Sequence, residues 1–194
     1  EQEARDREDE IVADFSEDFL FEDPDFPPDG KSLYRTPQQT PRGAMPPPLI
    51  RWGRVSRLEV RGCHSPTTFP EGDRPLCGVL QGALGDKWLM SAFNILLSTP
   101  QKLRQLIVSE RHKDKGIYTI KIFKEGAWRY MHVDDCLPCS QAGALHYCHP
   151  MDLNQVWGPL IEKAFAKLHG CYENLGRHSV ERGLRALAGT PVLR

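Results

Sequence analysis

The sequence predicts an α+β domain, four helices with a small antiparallel sheet, on three observations. Two stretches carry apolar residues at helical spacing, around residues 86–98 and 157–168, and a third run, 117–133, alternates like a β-hairpin. No run of 18 apolar residues interrupts this pattern, so no transmembrane helix is expected.

The chain has 194 residues, with 25 Lys plus Arg against 26 Asp plus Glu. That near-neutral balance hides a segregation. Residues 1–29 hold 13 of the acids and only Arg5 and Arg7 as bases. Residues 1–18 are therefore expected as an acidic, solvated leader, because Glu1 to Glu10 contain one apolar residue, Ala4. Phe19, Leu20, Phe21 and Phe26 make residues 19–35 a segment that docks on something. Pro37, Pro41 and Pro46-Pro47-Pro48 mark 36–48 as an extended connector. An SH3-ligand reading of it is the weaker one. Globular patterning starts at Leu49.

Asp86 to Ser98 reads as a helix apolar on most sides, with Trp88, Leu89, Ala92, Phe93, Leu96 and Leu97, and hence a buried central helix. Thr99-Pro100 supplies a cap and an N1 proline for a short helix through about Val108. Ile117–Phe123 and Ala127–Val133 are partner strands around a Lys124-Glu125-Gly126 turn, and a further short strand is expected over Leu145–His149. Trp157, Leu160, Ile161, Ala164, Phe165 and Leu168 define an amphipathic helix stopped by Gly170. A last helix runs from the Ser179 cap to Gly189.

The chemistry-bearing stretch is Gln81-Gly82-Ala83-Leu84-Gly85-Asp86-Lys87-Trp88. A glycine-punctuated loop delivers polar residues to the N-terminus of a buried helix, where the dipole favours negative charge. A cysteine there would have a depressed pKa, and a glutamine six residues earlier can reach back to an oxyanion. The loop, Gln81 and the helix are present, but Lys87 stands in the nucleophile's place.

This segment resembles the calpain family of papain-like cysteine proteases, whose run reads Q-G-x-L-G-D-C-W. Other stretches are similar to the family in the same order: Phe21-Glu22-Asp23-Pro24-Asp25-Phe26-Pro27 with Ser32-Leu33-Tyr34, Arg51-Trp52, Trp128 with Val133-Asp134-Asp135 and Leu137-Pro138, and Trp157 to Leu175. The resemblance covers about residues 19–190. It implies a papain-like half-core over residues 49–190, the helical lobe that carries the nucleophile. It implies Gln81 at the oxyanion-hole position and Lys87 at the nucleophile position. A lysine amine would form a stable amide rather than a hydrolysable thioester. The partner histidine of papain-type enzymes lies ~130–150 residues beyond the cysteine, whereas 107 residues follow Lys87. Neither His169 nor His178 lies in a family-like histidine motif. The resemblance also implies calcium: Glu173 matches an acidic ligand, while Gly78 replaces an aspartate three residues before the glutamine. Asp73 or Glu71 is weighed as a substitute ligand.

The expected reading is a calpain-like protein without activity, a pseudoprotease or binding module that takes protein partners through the old cleft or the leader. Its alternative is a fragment of a calcium-dependent cysteine endopeptidase. Self-association through the exposed inter-lobe face is expected as a consequence. Cys136-x-x-Cys139 with His146, Cys148 and His149 has zinc-like spacing. Alternation along a strand sends His149 away from the other two, so free thiols are expected instead. Ser91, one turn after Lys87, has no identifiable base. Cys77 lies outside the helix terminus and lacks dipole activation. The seven bases between Lys102 and Lys124 come with no nucleic-acid motif and read as a solvated face. The acidic start fits no secretory or transit peptide, so a cytoplasmic protein with free thiols is expected.

Overall fold

A computed structural model describes residues 1–16, 18–72 and 74–189. In chain order the elements are α1 (Gln2–Val12), α2 (Gly30–Leu33), β1 (Arg51–Arg54), β2 (Val79–Leu80), α3 (Lys87–Leu96) and α4 (Pro100–Arg104). They continue with β3 (Ile107–Ser109), β4 (Ile117–Lys124), β5 (Ala127–Asp134), β6 (Cys136–Cys139), β7 (His149–Pro150), α5 (Trp157–His169) and α6 (Val180–Ala188). Helices and small antiparallel sheets coexist, as the α+β expectation requires. The sheet is divided: β3-β4-β5 form one, β1 pairs with β6, and β2 pairs with β7.

The hairpin follows from its turn. Glu125 and Gly126 both have positive φ, +54° and +82°, the conformation that matches strand twist in a two-residue connection. Lys124 therefore belongs to β4 rather than to the turn, opposite Ala127. Ile117, Ile120 and Ile122 are wholly buried under it.

Helix α5 is the centre of the core. Trp157, Leu160, Ile161, Ala164 and Phe165 are essentially inaccessible, and α3 adds Leu89, Ala92 and Phe93. Gly170 ends α5 with φ +94°. Helix α6 opens on Ser179, whose Oγ accepts the Arg182 N–H, and closes on Gly189 at φ +67°. Gly183 lets α6 approach α3. A Cβ there would lie 2.8 Å from the Ala92 Cβ and 3.1 Å from the Trp88 ring.

Five expectations need correction. Residues 1–18 are not a solvated leader throughout, because residues 2–12 form α1 and dock on the hairpin. Glu8 is wholly buried, where it accepts from Ser109 Oγ at 2.9 Å and from the Thr119 hydroxyl. Asp9 pairs with Arg111 and His112, and Glu1 with Lys121. The acidic start thus covers part of the basic stretch that read as a solvated face. The helix after Thr99 stops at Arg104, since Ile107 and Val108 pair with β4 instead. The Thr99 hydroxyl donates back to Leu96 O and does not cap. The strand expected over 145–149 reduces to a single bridge, Leu145 with Cys139, and to β7.

A buried ionic spine ties the start of the chain to the core. Lys163 Nζ, with no exposed surface, donates to Asp134 Oδ1 (2.6 Å) and Cys136 O (2.7 Å). Asp134 Oδ2 accepts the Asp23 N–H at 2.8 Å, and Lys167 Nζ lies 2.8 Å from both oxygens of Asp23. Asp135 binds Arg54 and the Ser56 N–H. The Asp134-Asp135 pair therefore orders the bend between β5 and β6, before Leu137-Pro138.

Candidate functional site

The loop between β2 and α3 is pressed onto the segment that precedes β7. Ala83 N–H donates to His146 O at 3.0 Å, and a Cβ on Gly82 would fall 2.0 Å from Tyr147 O. Only glycine permits that approach. Gln81 is exposed, and its Nε2 donates to Leu84 O across the loop. Lys87 is the first residue of α3 and exposed, and among the described residues its side chain has no hydrogen bond or ion pair. Its ammonium turns to solvent, because the dipole repels it there. Trp88 faces inward. Its Nε1 donates to Leu175 O at 2.6 Å, and its ring meets Phe165 and His178 edge-on.

Asp86, the residue that caps α3, is the unexpected part of the site. It is 1% exposed and makes no capping bond. Its carboxyl meets that of Glu162 on α5, which is 2% exposed. No N–H or O–H of the described residues reaches either Asp86 oxygen or Glu162 Oε1. Glu162 Oε2 accepts the Cys148 N–H at 3.1 Å. Burial raises both acids, and the neighbouring Asp86 charge raises Glu162 further, well above the usual carboxylate range. A proton shared between the two carboxyls would supply the missing donor.

Glu173 lies at a second edge of the site, lining a cavity of about 400 Å³ with Tyr34, Gly85 and His146. Its Oε2 accepts the Arg35 N–H at 2.8 Å. Gly78 sits elsewhere, against Met151 and Asn94. Among the described residues no three His, Cys, Asp or Glu side chains gather to hold a metal ion. Asp73 and Thr190, the end of the expected half-core, lie outside the described residues. Among the zinc-spaced residues, burial pushes Cys136 up to about 12 and Cys139 to about 11, and Cys148 is sealed against Glu162. The other thiols, Cys63, Cys77 and Cys171, are also raised, chiefly by burial. All six are free, and none is poised as a thiolate. His169 and His178 both approach Arg182, behind Trp88.

Sequence reading found Gln81, Lys87 and Trp88 but missed the Asp86–Glu162 pair. A signal was present. Glu162 and Lys163 stand side by side between the apolar Ile161 and Ala164, where a charge turned inward needs a buried partner.

A glycine loop, a glutamine and a buried helix N-terminus in this arrangement define a cysteine-protease type of core segment. The calpain family cysteine protease model matches residues 21–193, and the chain belongs to that family. It is 33% identical over 173 residues to the calpain-type cysteine protease DEK1 of Arabidopsis thaliana, covering 89% of this chain and 8% of that protein. It is 34% identical to calpain-5 of Caenorhabditis elegans over 176 residues, 87% of this chain and 25% of the relative. With human calpain-8 the identity is 32% over 174 residues, 88% and 24%. The chain thus spans a quarter or less of these relatives. No helix among the described residues is long and apolar enough to cross a membrane.

Proposed function

We propose that this chain is a noncatalytic calpain-type core segment, a papain-like half-core whose loop and helix terminus serve to bind protein segments. The observation that carries this reading is Lys87. It is the exposed first residue of α3, and in this reading it stands where the resembled family carries its nucleophile. An ammonium has no lone pair for attack on a carbonyl. If deprotonated and acylated it would stop at an amide. The six thiols sit elsewhere, buried or half-buried, with raised pKa values that oppose substitution for it. Gln81, engaged with Leu84 O, retains a donor beside the cleft for a bound peptide carbonyl.

A second reading is favoured by one observation, the small share of each relative that the chain covers. In it, the chain is part of a longer calcium-dependent cysteine endopeptidase that supplies the second lobe and its histidine. Glu173 would then serve the calcium site, once freed from the Arg35 N–H.

The test is hydrolysis of a fluorogenic calpain peptide by the purified chain, with calcium and with chelator. No turnover is expected in either condition, and calcium-dependent cleavage would refute the noncatalytic reading. Lys87→Cys provides the control. Its alkylation by iodoacetamide should outpace that of the native thiols, reporting whether the helix terminus still activates a thiol.

A further inference from the structure

Between the hairpin tip, the last turn of α5 and the first turns of α6 lies a cavity of about 660 Å³, within the usual size of a small-molecule site. Its floor is apolar, formed by Trp88, Ile122, Phe165 and Leu168. Its rim is cationic, with Lys124, Arg182 and Arg185. Arg185 is balanced by Glu181 at 3.6 Å, and Glu125 sits exposed at the hairpin tip. Among the described residues Lys124 Nζ donates to the Leu168 carbonyl, at 3.4 Å, and neither Lys124 nor Arg182 lies in an ion pair.

Arg182 is held nonetheless. Nη1 donates to His178 Nδ1 at 3.2 Å and Nη2 to His169 Nε2 at 3.4 Å. The opposite ring nitrogens face backbone carbonyls, His169 Nδ1 at Phe165 O (2.9 Å) and His178 Nε2 at Asn174 O (3.3 Å). Those carbonyls fix the ring protons on the far side, so two neutral lone pairs face the guanidinium. Burial, helped by the nearby cations, lowers both histidines and keeps them neutral. Two neutral acceptors orient the cation without cancelling its charge. A carboxylate would have done both.

We propose that this cavity binds an amphiphilic anion, its apolar chain or ring on the Trp88–Phe165 floor and its carboxylate on Arg182 and Lys124. Two sources share that chemistry: a fatty acid, and the C-terminal carboxylate of a peptide ending in an apolar residue. This site is separate from the Gln81–Lys87 loop and does not depend on the noncatalytic reading.

The test is displacement of 1-anilinonaphthalene-8-sulfonate from the purified chain, followed by fluorescence. Competitors are decanoate against decanol, and N-acetyl-Leu-Phe against its C-terminal amide. At least one acid should compete about tenfold better than its neutral analogue, the usual effect of a charge-assisted hydrogen bond. The pair with the larger preference identifies the source. Arg182→Gln should abolish the preference, and Lys124→Gln should reduce it. Equal competition by acid and neutral forms, no competition by either acid, or a preference that survives in both variants overturns the proposal.

Discussion

Replacing Glu162 by glutamine should change the pH dependence of stability more than stability itself. Asp86 and Glu162 are buried against each other and both are raised, so one proton is expected between them. The folded chain therefore holds a proton that the unfolded chain releases near the ordinary glutamate value of 4.5. Stability is full below that pH and falls as the pH climbs toward the raised folded value. For one proton the slope is about 1.4 kcal/mol per pH unit. A pair that keeps its proton from pH 5 to pH 7 would thus cost the wild type about 2.7 kcal/mol over that span. In Glu162→Gln the amide can donate to Asp86 while its oxygen still accepts the Cys148 N–H, so no proton need be taken up. Urea unfolding at half-unit pH steps measures the difference between variant and wild type, in which other titrating groups cancel. That difference should rise with pH at the stated slope, and Asp86→Asn should show the same trend from the other side. Parallel stability curves for both variants from pH 5 to pH 8 would refute a shared proton.

Lys163→Ala should strand the Asp134 carboxylate in the core, at a cost of about 3–5 kcal/mol, visible as a fall of roughly 10 °C in the thermal midpoint. A midpoint within 2 °C of wild type would contradict the buried pair. Glu8→Ala should leave the Ser109 and Thr119 hydroxyls without their acceptor, costing about 1–3 kcal/mol confined to α1. Amide exchange across residues 2–12 should accelerate while that of α5 is unchanged.

Periodicity made the hairpin and α5 legible because their apolar residues keep strand and helix spacing, although packing buries α5 on every side from Trp157 to Ala166. It failed at α1, whose buried face consists of Ala4 and Glu8. A carboxylate that packs by accepting two hydroxyl bonds carries no hydrophobic signal. It failed again at β3, because the three residues 107–109 become a strand only when β4 is beside them. The loop from Gln81 to Trp88 was readable because its chemistry is local, a glycine approach followed by a helix terminus. The Asp86–Glu162 pair and the Arg182 cradle join residues far apart in sequence. Only the packing of α3, α5 and α6 brings them together.

The ionic spine also sets an order of events during synthesis. Asp23 leaves the ribosome early, yet the Asp134 carboxylate that receives its N–H comes 111 residues later and Lys167 comes 144 residues later. Until α5 has emerged, the aromatic strap around Phe21 and Phe26 lacks its Lys167 anchor and remains open to chaperones or to strands of other chains. Closing so long a loop adds little entropy per residue, but it makes a segment translated ahead of α5 wait for α5 before its contacts are complete.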